Sequence, residues 1–106
     1  MKDRTLHHKL VRDRIPERIE EAGKTHQTTI IGGEHLRAAA LKKLQEEVME
    51  FVENPCAEEV ADIMEILHFI LKREGITDAQ VMTAVTVKRI ECGSFDMGYF
   101  LEWVEE

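Results

Sequence analysis

Between Leu44 and Leu71 the chain carries eight acids and no lysine or arginine: Glu46, Glu47, Glu50, Glu53, Glu58, Glu59, Asp62 and Glu65. Two pairs have a spacing that matters, Glu47-x-x-Glu50 and Glu59-x-x-Asp62. On a helix turning about 100° per residue, Glu47 falls at the margin of an apolar stripe of Leu44, Val48 and Phe51. Glu50 follows one turn later and slightly farther out. On the next helix Glu59 falls between the directions of Ile63 and Ile66, and Asp62 lies just beyond Ile66. Glu58, Glu65 and Lys72 take the polar back. Four carboxylates converging at a partly dry helix interface repel one another and raise each other's pKa values unless a cation intervenes. Oxygen donors at i, i+3 on facing helices suit Mg²⁺, or Mn²⁺, and Mg²⁺ held this way keeps several waters and works with substrate phosphates. The ordinary meaning of glutamate-rich helices is a solvated acidic face. Here the placement beside the apolar stripe favours a metal site.

Bases that could meet a polyphosphate come from elsewhere. Near the end of the fourth expected helix Lys88 points into the apolar arc of Val81, Ala84, Val85 and Cys92, with Arg89 at its edge. An inward lysine needs an anionic partner, either one of the carboxylates or a ligand phosphate; the residues leave both open. Lys9, Arg12 and Arg14 cluster beside Asp13 ahead of the first helix, as surface pairs or phosphate contacts.

The elements that position these residues follow from period and punctuation. Pro16 suits a first helical turn and Gly23 a C-terminal cap, giving a short first helix. Residues 24–33 contain β-branched residues and a Gly pair, and read as an extended connector with a strand at 28–31. A helical period runs from Glu34 to Glu53, and Asn54-Pro55 ends that helix and starts the next, which runs to Glu74. Thr77-Asp78-Ala79-Gln80 has the form of a capping box for a fourth helix ending at Cys92. The expectation is an all-α fold, an antiparallel bundle of about four helices, with the middle two adjacent because their joint is short. The aromatic tail, Phe95, Tyr99, Phe100 and Trp103, is expected to pack back, as a strand beside Thr28–Ile31.

The 106 residues are 43% hydrophobic and 33% charged with a net charge of −7, enough apolar content for one domain spanning 1–106 rather than a disordered acidic tail. Residues 1–8, with His7-His8, read as a flexible segment rather than a metal tract. The acidity argues against a nucleic-acid binder. No apolar run reaches the length of a membrane span and the N-terminus lacks a signal-peptide core. Cys56 and Cys92 form no CxxC pair, which excludes the usual zinc and thioredoxin-like patterns and fits a reducing, cytoplasmic setting. There is no Walker A run, no G-x-S-x-G and no local Cys/His dyad.

With these residues in hand, the sequence resembles the all-α nucleoside triphosphate pyrophosphohydrolases, the MazG-like and phosphoribosyl-ATP pyrophosphohydrolase-like superfamily. Its signature, E-E-x-x-E followed by E-x-x-D, reads here Glu46-Glu47-Val48-Met49-Glu50 and Glu59-Val60-Ala61-Asp62. Lys9–Pro16, KLVRDRIP, is similar to the start of the short single-domain members. Lys88-Arg89 through Gly98 is similar to their ending, except that Cys92 and Ser94 stand where Arg and Gly are expected. The resemblance covers residues 9–102.

It implies that Glu47, Glu50, Glu59 and Asp62 hold Mg²⁺, with Glu46, alongside Glu47, in a catalytic role as auxiliary ligand or base. It implies further that Lys88, Arg89, Lys9 and Arg12 bind the triphosphate of a nucleotide cleaved between its α and β phosphates. It also implies a homo-oligomer with its site at a helix-bundle dimer. Alternatives are a phosphoribosyl-ATP pyrophosphatase of histidine synthesis, and a non-catalytic helical interaction module that kept its carboxylates.

Overall fold

The structure, a computed structural model, describes residues 3–105. It is all-α, with four helices: α1 (Ile15–Glu21), α2 (Gly33–Glu53), α3 (Ala57–Arg73) and α4 (Asp78–Cys92). Pro16 lies in the first turn of α1, where its missing N–H costs nothing. Gly33 opens α2 with φ 56, a left-handed conformation that a side chain would strain. The Asn54 amide closes α2 on the Glu50 carbonyl at 2.9 Å.

α3 starts two residues later than Pro55, because Cys56 takes the extended N-cap conformation with φ −156. Thr77 and Gln80 form the full capping box of α4, each side chain accepting from the other's backbone N–H. Gly93, with φ 81, ends that helix.

α2 and α3 are antiparallel, joined by residues 54–56, and theirs is the one extensive helix–helix contact among the described residues. Their far ends are tied by Arg37 Nε to Glu74 Oε1 at 2.9 Å and by Arg73 Nη2 to the Gly33 carbonyl at 3.3 Å. Ala40 and Ile66 are the buried apolar residues of this hairpin, and the small Ala40 lets the helices approach. The rest of the predicted stripes is half-buried or exposed, as at Val48 and Val52 on α2 and Val60 and Leu67 on α3.

The two remaining helices extend from this hairpin. The radius of gyration is 18.9 Å and the extents are 65 × 31 × 28 Å; a compact domain of this length would have a radius near ~13 Å.

The strand pairing of 28–31 with the C-terminal tail does not form. No strand occurs among the described residues. Ile30 is fully exposed, and the tail runs on past α4 with Phe95, Tyr99, Phe100 and Trp103 all exposed, so neither backbone meets a ladder partner among the described residues. Residues 3–8 are exposed coil, and the first two residues of the segment expected to be flexible lie outside the described part. No described helix is long and apolar enough to cross a membrane.

Candidate metal centre

The joint between α2 and α3 places the last turns of one helix against the first turn of the other. Glu47 projects from α2 into the packed face and is 5% exposed. Glu50, one turn on, is exposed, and Glu59 reaches across from the first turn of α3. One carboxylate oxygen from each of the three lies within 4.8 Å of the other two. The α3 N-terminus favours the negative charge of Glu59, whereas Glu50 sits near the α2 C-terminus, whose last turn has no basic residue.

The electrostatics of the cluster are strained accordingly. The charge of Glu47 pushes the Glu50 carboxyl above its ordinary value, with burial and the charge of Glu59 adding to the effect and Lys43 partly opposing it. Lys43 lies one turn before Glu47, with Nζ 2.9 Å from Glu47 Oε1 and 3.7 Å from Glu46 Oε2. Burial pulls the Lys43 ammonium down, but the hydrogen bond to Glu47 and the charges of Glu47, Glu46 and Glu50 leave it raised.

Two buried oxygens, Glu47 Oε2 and Glu59 Oε2, have no hydrogen-bond partner. A buried carboxylate oxygen without a partner costs roughly 1–3 kcal/mol, and here two of them sit in one carboxylate cluster. Three hard oxygen donors with two orphaned oxygens fit a divalent cation of the Mg²⁺ or Mn²⁺ type.

The other residues singled out from the sequence lie around this cluster or away from it. Asp62, one turn beyond Glu59, is outside the mutually close set and accepts from Arg12 Nη2 at 2.6 Å. Arg12 thus ties the N-terminal segment to α3. Glu46 is half-buried beside Lys43. Lys9 is exposed coil, while Lys88 and Arg89 are exposed on α4 and form no ion pair among the described residues. Lys88 has no inward face to occupy, because α4 makes no extensive contact with the hairpin among the described residues, its first residue Asp78 only approaching His68 of α3 at 3.6 Å.

Lys43 was not legible as a site residue. Its signal was the i, i+4 spacing to Glu47, which surface pairs share. The Arg12–Asp62 contact spans fifty positions, and no local pattern announces it. Compared with known proteins, the chain matches no family model, no curated protein and no solved structure.

Proposed function

We propose that the protein is a Mg²⁺-dependent nucleoside triphosphate pyrophosphohydrolase of the all-α, MazG-like type, cleaving between the α and β phosphates to release a monophosphate and pyrophosphate. The observation that carries this reading is Glu47, a buried carboxylate with an orphaned oxygen, within 4.8 Å of Glu50 and Glu59. The ligand set is Glu47, Glu50, Glu59 and, once freed from Arg12, Asp62. A cation bound there supplies charge neutralisation and a water of lowered pKa.

The chain's own residues do the rest. Glu46, half-exposed beside the cluster, accepts the proton of the attacking water. Arg12, already at the cluster's edge on Asp62, exchanges that carboxylate for a phosphate oxygen. Lys88 and Arg89, free of ion pairs among the described residues, bind the triphosphate, with Lys9 as a further contact. Each converts the negative charge developing on the leaving pyrophosphate into an ion pair.

The enzyme works as a homodimer or larger homo-oligomer in the cytoplasm, its two cysteines free. The exposed apolar face of α4 and the tail supports the assembly. A pyrophosphate-release screen over standard and modified nucleotides, with and without Mg²⁺, tests the reading. Glu50→Gln and Asp62→Asn should each abolish Mg²⁺-dependent turnover with helical content retained. Unchanged rates in both would sink the ligand assignment.

A further inference from the structure

Lys43 is the one cation that touches the three-glutamate cluster among the described residues, since Arg12 is engaged on Asp62. Its side chain is 19% exposed and that of Glu47 is 6% exposed, so the pair is largely withdrawn from water. Lys43 reaches Glu47 from one turn nearer the α2 N-terminus and takes Oε1. Oε2 of the same carboxylate is left buried and without a partner. A carboxylate buried among two others needs a positive charge close by. Lys43 supplies one before any metal arrives, but satisfies only half of Glu47.

We propose that Lys43 is a positioning residue: it is the resident counter-ion of Glu47, holding that carboxylate in the empty site and competing electrostatically with the divalent cation the site then takes. The proposal rests on the cation site argued above and adds a residue to it. The ammonium and a divalent ion on the same carboxylate repel each other. At about 6 Å, even with the dielectric constant of water, that repulsion amounts to about tenfold in affinity. By linkage, a change that harms the empty site more than the filled one must tighten cation binding.

The test uses the full chain and Mn²⁺ alone, with free ion counted by electron paramagnetic resonance and thermal unfolding followed in parallel. Lys43→Met and Lys43→Gln should each bind Mn²⁺ about tenfold more tightly than the unsubstituted protein. Lys43→Arg, which keeps the charge, should restore the original affinity. Without cation, both neutral variants should melt lower, and the gap should close at saturating Mn²⁺. Should Lys43→Met fail to fold, Lys43→Gln, which keeps a hydrogen-bond donor, carries the comparison.

Unchanged or weaker Mn²⁺ affinity in the neutral variants, with equal loss of Tm with and without cation, would make Lys43 an ordinary i, i+4 pair and overturn the proposal. If the unsubstituted protein and all variants take up no Mn²⁺, the cation site itself falls, and the role of Lys43 with it.

Discussion

A compact protein of 12.3 kDa exposes about 6,100 Å² of surface by the usual scaling, whereas this chain exposes 10051 Å². The excess, roughly 3,900 Å², is several times the ~800 Å² each partner loses in a standard interface. Such a chain is expected to be stable only when another copy covers α4 and the tail, so that unfolding and dissociation become one event. Phe100, 86% exposed, and Trp103, 73% exposed and the sole tryptophan, lie on the surface to be covered.

Replacing Phe100 by Ser removes an aromatic side chain worth ~2 kcal/mol of burial, counted twice in a two-fold assembly. The dissociation constant should therefore rise by about three decades. Sedimentation equilibrium should find a species of at least twice the chain mass. Trp103 emission should shift to the red on dilution, at far higher concentration in Phe100→Ser than in the unsubstituted protein. A stable single-chain species, with water-exposed Trp103 emission and a Tm independent of concentration over a hundredfold range, would refute the reasoning.

Thr77→Ala removes the hydroxyl that accepts from the Gln80 N–H and should cost ~1 kcal/mol, read as a shifted denaturant midpoint with unchanged slope. The raised Glu50 carboxyl binds its proton more tightly folded than unfolded. Its charged form therefore destabilises the metal-free protein at neutral pH, and this contribution disappears as pH falls through the raised value. Glu50→Gln should remove that segment of the stability–pH curve, and in the unsubstituted protein Mn²⁺ affinity should fall over the same window as protons compete. Lys88→Ala should raise KM for the nucleotide several-fold while leaving Tm in place, since Lys88 makes no ion pair among the described residues; a drop in Tm with unchanged KM would assign it a structural role.

The helices were legible because their signals are local. Pro16, Asn54, the Thr77 capping box and the terminating glycines each act within one turn, and all four helices lie close to where the sequence places them. The carboxylates were legible for a related reason: a helical wheel fixes direction, and direction put Glu47 and Glu59 beside the stripe that packs. What a wheel cannot supply is the occupant of each acid. Asp62, just beyond Ile66 on the wheel, stands near the same face as Glu59, yet Arg12, from a segment without regular structure, holds it. The inward sense assigned to Lys88 failed differently. An apolar arc states that a helix needs a partner, not that the partner is in the same chain, and α4 finds no extensive one among the described residues. The strand expected at 28–31 fails for the same cause.

These two incompletenesses bear on each other. The proposed cation ligands lie on the α2–α3 hairpin, and two of the bases proposed for the triphosphate, Lys88 and Arg89, lie on α4, which makes no extensive contact with it among the described residues. If another copy covers α4, Lys88 of one chain is expected to serve the carboxylates of its partner. Glu50→Gln and Lys88→Ala proteins, each impaired alone at low nucleotide concentration, should then complement when unfolded and refolded together. Random pairing makes half the dimers mixed. Each mixed dimer holds one site with intact carboxylates facing an intact lysine, so recovery should approach about a quarter of full activity. Sites built within single chains would recover nothing beyond the average of the two parents.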